Sequence, residues 1–177
     1  MRKVLLLVAV LLTFVSVLAA QKDKSQRPSP PAQAQCKLPD GKTISVDYSS
    51  PRAKGRKIFG ALVPYGEIWR TGANEATTFV TDANLTAGKL AVPAGSYTIF
   101  TIPNPDKWVL IINKKTGEWG IPYKYEADEL GRVDMKVSAT PAPVENFTIV
   151  FDQAGNACKL NLSWETTQAS AEFVEKK

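Results

Sequence analysis

An all-β fold, a single antiparallel β-sandwich with a jelly-roll-like arrangement of about eight or nine strands, is predicted by three observations. Segments with apolar residues at alternate positions recur along the chain, which is the period of a half-buried strand. Clusters of Gly, Pro, Asn and Asp interrupt them at short intervals. No long stretch carries the 3.6-residue period of an amphipathic helix.

Taken in order, TISVDY puts Ile44, Val46 and Tyr48 on one face, and the PDG turn at Pro39 to Gly41 precedes it. TTFVTD and KLAV are shorter strand candidates on either side of the DANLTAG turn, Asp82 to Gly88. The turn PAG, Pro93 to Gly95, leads into SYTIFTI, where Tyr97 and Phe100 fall on opposite faces. KWVLIINK is apolar throughout its middle, as expected of a strand covered on both sides. Alternation returns in RVDMKV (Val133, Met135, Val137), NFTIVF (Phe147, Ile149, Phe151) and CKLNLSW (Cys158, Leu160, Leu162, Trp164). The tail TTQASAEFVEKK reads as a last edge strand, and Trp108 and Trp164, both inside strand patterns, read as core.

Residues 1–20, MRKVLLLVAVLLTFVSVLAA, have the charged start, apolar run and small-residue end of a secretory signal peptide. The run is shorter than the ~20 apolar residues of a spanning helix, so no membrane span is expected after cleavage at Ala19 or Ala20. A flexible spacer is predicted for residues 21–35 and the β-sandwich domain for 36–177. Subtracting the 20-residue leader from 177 leaves 157, enough for one domain with a sizeable core. Arg2 and Lys3 go with the leader, so 20 basic and 17 acidic residues remain, too mild an excess for a nucleic-acid partner. Export also places Cys36 and Cys158, the two cysteines, in an oxidising compartment, periplasmic or extracellular, where a disulfide between them is the natural expectation.

The chain has no histidine, which removes Ser-His-Asp and Cys-His catalysis and histidine-ligated metal sites. Two cysteines cannot make a four-cysteine zinc site, and neither an oxygen-rich calcium loop nor a G-x-x-x-x-G-K phosphate loop is present. No metal and no cofactor is therefore expected. The acidic run YEADEL and the basic run RAKGRK, Arg52 to Lys57, read as solvated turns, although the basic run has the charge to hold a phosphate or carboxylate.

Carboxylate and arginine chemistry is left, and it concentrates in PYGEIWRTGANEATTF, Pro64 to Phe79, which has no strand or helix period. Arg70 offers a planar fork to a carboxylate, phosphate or sugar hydroxyl. Glu75 can accept from it or serve as a base, and Asn74 adds a donor and an acceptor. Trp69, Tyr65 and Lys57 are candidate wall residues for a small polar or carbohydrate-like ligand. Two other readings stand beside this one. Arg70 and Glu75 can instead pair with each other, making the loop an internal brace in a structural or protein-interaction module. They can also act as anion clamp and base in a histidine-free hydrolase or isomerase. The sequence leaves the oligomeric state open.

The blocks GRKIFG, LVPYG and WRTGANEAT, followed by VPAGSYTIFTIP and KWVLIINK, resemble the bacterial secreted proteins grouped as domain-of-unknown-function family 2911. The similarity spans roughly Lys37 to Glu165. Gly55, Arg56, Phe59, Gly60, Pro64, Tyr65, Gly66, Trp69, Arg70, Gly72, Asn74, Glu75 and Thr77 match the family's signature. Tyr48-Ser49-Ser50-Pro51 departs from it, standing where many members carry a basic residue before the proline. The resemblance implies an exported all-β protein and adds weight to Arg70, Asn74 and Glu75, which turns and packing explain less readily than the glycines and aromatics. It implies no activity.

Overall fold

Alternating apolar side chains can be buried only if the strands that carry them pair and close over one another. The computed structural model describes residues 23–176 and solves this problem with nine antiparallel strands. They are β1 (Pro31–Lys37), β2 (Thr43–Ser49), β3 (Thr78–Thr81), β4 (Leu85–Ala87), β5 (Leu90–Val92), β6 (Gly95–Ile102), β7 (Lys107–Asn113), β8 (Glu129–Ala154) and β9 (Ala157–Glu175). Hydrogen bonding runs continuously in the order β1-β2-β3-β6-β7-β8-β9-β4-β5, so both layers of the sandwich belong to one open sheet. The signal-peptide expectation, residues 1–20, lies outside the described residues.

β8 and β9 make the wrap. The first part of β8 pairs with β7 on one side and with Thr167–Ser170 of β9 on the other. Register shifts between Ala139 and Val144, and again between Val144 and Thr148, then bend the strand, and its second part pairs with Ala157–Ser163. There it reaches the chain leaving β2: Ala53 N–H donates to Glu145 O at 2.8 Å and Phe147 N–H to Pro51 O at 2.8 Å. The enclosed core contains Ile44, Val46, Phe79, Trp108, Phe147, Trp164 and Phe173, all at most 2 % exposed. Each such side chain contributes about 1.5–3 kcal/mol by leaving water. The tail is strand but not the edge strand expected: it is the second half of β9, paired with β8 at Thr167–Ser170 and with β4 at Val174 and Glu175. Val133, Met135, Leu160 and Leu162 face inward.

A smaller apolar cluster lies on the other face of β6 and β7, built from Ala76, Phe100 and Ile111. Tyr97 and Phe100 therefore do face opposite ways. The connection from β7 to β8 covers this face: Tyr123 meets Phe100 with ring centroids 4.8 Å apart, and buried Asn113 donates to Tyr123 Oη at 3.2 Å and Tyr125 O at 2.7 Å. These contacts bring Trp119 and Ile121 beside the 64–79 segment.

The stretch expected as a spacer is partly sheet. Pro31–Gln35 belongs to β1, paired in register from Pro31↔Ser49 to Lys37↔Thr43. Ala32 and Ala34 pack on the core, and their small size hides the alternation in PPAQAQ. Cys36 of β1 is bonded to Cys158 at the start of β9, with Cα atoms 6.3 Å apart.

Candidate functional site

The segment before β3 enters along the sheet and then leaves it. Trp69 and Thr101 of β6 exchange backbone hydrogen bonds of 2.8 and 2.9 Å, a one-residue strand beside β6. Beyond it the chain turns through positive φ at Thr71 (57°), Gly72 (156°) and Asn74 (59°). At Gly72 a side chain would be tight and strained: a Cβ would lie 3.0 Å from Ser49 O and 3.1 Å from Thr77 Oγ1, on a backbone with φ of 156°. The turn is tied inward by Thr77 Oγ1 donating to Thr71 O (2.7 Å), Ala73 N–H to Ser49 O (3.2 Å) and Trp69 Nε1–H to Gly72 O (3.0 Å). Buried polar atoms of an irregular segment are satisfied in this way, so the backbone of the loop is fixed.

Its polar side chains then part company. Glu75 turns toward the N-terminal segment, accepting from Arg27 Nη1 at 2.6 Å and pairing with Lys24 Nζ at 3.2 Å. Asn74 follows it, donating from Nδ2 to Ser29 O at 3.0 Å. The hydrogen bond from Arg27 is the main reason the Glu75 carboxyl falls to about 2, with Lys24 adding to it. Arg70 goes the other way: its guanidinium carbon lies 4.9 Å from the centroid of the Trp119 ring, and its Nη1 reaches Trp119 O at 3.4 Å. The alternative in which Arg70 and Glu75 pair with each other is not what forms. No carboxylate lies within salt-bridge distance of Arg70 among the described residues. Burial lowers the Arg70 pKa, and the distant charge of Glu75 partly opposes this.

Arg70 and Trp69 line a groove of about 390 Å³, with Trp164 and Val63 deeper in it and Leu62, Glu67 and Ile121 at its edges. Glu75 lines a separate, smaller hollow of about 180 Å³, shared with Arg27, Lys24 and Asp47. Asn74, Tyr65 and Lys57 do not line the groove. The Tyr65 ring instead lies over Gly60, so close that a Cβ there would sit 2.6 Å from Tyr65 Cε2. Lys57 is exposed, and the basic run reaches the groove through Arg56, whose Nε and Nη2 donate to Ala53 O and Arg52 O at 2.9 and 2.6 Å. Trp69 is not an open stacking surface: its ring lies 5.9 Å from Trp164, nearly parallel, and 4.9 Å from Phe147, edge-on. Another hollow of about 600 Å³ over β4, β8 and β9 carries Lys136, Lys159, Asp134 and Glu172, side chains of both signs on an open surface.

The sequence profile of a family described as protein of unknown function (DUF2911) matches residues 29–173. The chain belongs to that family. The family region starts at Ser29, whose carbonyl holds Asn74, and ends inside β9, so it contains the groove entire but not Lys24 or Arg27. No curated protein matches the chain, and no solved structure does.

Of the groove residues, Arg70 and Trp69 are candidates from the sequence, whereas Arg56, Glu67, Leu62 and Ile121 are not. Arg56 stood in the family blocks, where its position among other basic residues disguised it. Ile121 lies about fifty positions from Arg70 in a stretch without periodicity, so nothing local to it signalled the meeting. Lys24 and Arg27, the partners of Glu75, were hidden in the expected spacer.

Proposed function

We propose that this is an exported β-sandwich protein that binds a small polar ligand in the groove beside Arg70. The observation that carries the reading is a half-buried guanidinium on a groove wall with no carboxylate within salt-bridge distance among the described residues. Burying a charge without a partner is costly, and an anionic or strongly polar ligand supplies one. Export rests on the leader and agrees with the Cys36–Cys158 disulfide. No helix among the described residues is long and apolar enough to cross a membrane.

A brace role, the second reading, is supported at the other residues of the loop. Glu75 and Asn74 hold the N-terminal segment rather than face the groove, so bracing and binding fall to different side chains. Catalysis by Glu75 gains no support, because a carboxyl near 2 with two cations on it is a feeble base at neutral pH. Calorimetry of the purified chain against sugars, sugar acids and small carboxylates tests the proposal. At least one should bind, Arg70→Gln should abolish binding, and Glu75→Gln should leave it. A folded protein that binds none of them, and that native mass spectrometry finds bare when isolated from its own cells, overturns the reading.

A further inference from the structure

We infer that the groove selects an amphipathic carboxylate, with its head on Arg70 and an aliphatic or flat apolar body along Leu62, Ile68 and Ile121. The inference rests on the groove reading above and names its ligand class. A sugar presents hydroxyls on every side and needs several side-chain donors and acceptors to replace water. Among the described residues, Ser29 is the one neutral polar side chain on this groove, and no Asn, Gln, Thr or Tyr stands on its wall. Eight of its fourteen wall residues are Pro, Leu, Val, Ile or Trp. A carbohydrate platform also needs a free aromatic face on the groove wall: the Trp69 ring is already taken by Trp164 and Phe147, and the exposed Trp119 ring is not on that wall and carries Arg70 over its face.

Charge selects the head group. Arg56 and Arg70 against Glu67 leave the wall with one positive charge in excess, which suits a monoanion. Two of the Arg56 nitrogens are committed to backbone carbonyls, whereas Arg70 has a single long bond, to Trp119 O. The Arg70 guanidinium carbon lies 4.9 Å from the Trp119 ring centroid, a cation–π contact that uses the face of the group and leaves its N–H edge for an acceptor. Leu62 and Ile121 are 46 % and 41 % exposed, among the most exposed large apolar residues of the described chain, and a hydrocarbon body would cover both.

The experiment is calorimetric titration at neutral pH with octanoate, its uncharged counterpart octanamide, glucuronate and glucose, on the oxidised chain purified from an exporting host. Octanoate should bind about tenfold or more tightly than octanamide, the margin of one charge-assisted fork. Arg70→Gln should erase that preference, Arg70→Lys should keep part of it, and Ile121→Ser should weaken octanoate and octanamide together. Unchanged near-ultraviolet circular dichroism establishes that each variant is folded. Binding of glucuronate or glucose without octanoate overturns the ligand class and leaves the groove reading standing. Binding of none of the four overturns the ligand class as well, and the broader panel then decides the groove reading. Octanoate binding that Arg70→Gln does not change marks adsorption elsewhere and overturns the inference.

Discussion

Gly120 shows how one residue holds the groove's outer wall. Its φ is +90°, and a Cβ would stand 2.8 Å from Ala76 Cβ and 3.0 Å from Phe100 Cε1. Gly120→Ala therefore meets both backbone strain and overpacking, and should cost about 2–4 kcal/mol. Thermal melts should show the loss, and binding at Arg70 should weaken with it because Trp119 and Ile121 flank the displaced residue; an unchanged melt would mean that this wall is soft. Glu75 gives a prediction with a sign. Its folded carboxyl at about 2 lies below the ordinary 4.5, so its contribution is fully present above pH 4.5 and fades as the pH falls toward 2. The side chain is 42 % exposed, which screens the pair, and the contribution should be no more than about 1 kcal/mol. Glu75→Gln should accordingly melt lower at pH 7 by at most about 2–4 °C, and the two curves should converge as the pH approaches 2. Parallel curves over the whole range would show that the ion pairs with Arg27 and Lys24 contribute nothing.

Elements were legible wherever alternation was clean, and blurred where it broke. Ile44, Val46 and Tyr48 announce both β2 and its inward face, and KWVLIINK announces a strand covered twice because Ile111 and Ile112 feed different clusters. RVDMKV and NFTIVF read as two strands, yet they are the halves of one 26-residue β8. The prolines at 141 and 143 caused the division: lacking N–H groups, they fall between the Ala139 and Val144 pairings, where the ladder is already shifted. Contacts between distant segments left no local trace, which is why the Arg27–Glu75 clamp was not legible. Deleting residues 23–29 removes that clamp and the Ser29 carbonyl that holds Asn74. Hydrogen exchange over 71–77 should then quicken while β6 and β7, anchored by Ile99, Leu110 and Ile112, stay protected. Equal protection with and without the segment would show that the bonds to Ser49, Thr77 and Thr101 pin the loop by themselves.

At the scale of the whole molecule, the sheet's order leaves β1 at an end, hydrogen-bonded along its length to β2 alone. That end is joined to the far part of the wrap by the packing of Ala32 and Ala34 on the core, by the Lys42–Glu175 ion pair beside the β1–β2 turn and, covalently, by the Cys36–Cys158 bond, spanning 122 positions. A link across so long a loop removes much of the freedom of the unfolded chain, and the chain-entropy estimate is about 4–5 kcal/mol. For a domain of this size each kcal/mol moves the melting point by about 2–4 °C, so Cys36→Ala with Cys158→Ala should melt about 8–20 °C lower. Both sulfur-bearing residues are at most 3 % exposed, so a mild reductant should cleave the bond in the native protein far more slowly than in denaturant. Peptide mapping without reduction should recover the two cysteine peptides joined. If the double variant melts with the oxidised protein, burial of Ala32, Ala34 and the β1–β2 ladder already hold the end strand down. A large loss would instead make the oxidising compartment a condition of the fold, since the groove wall at Ser29 and Pro51 flanks the β1–β2 pair that the disulfide secures.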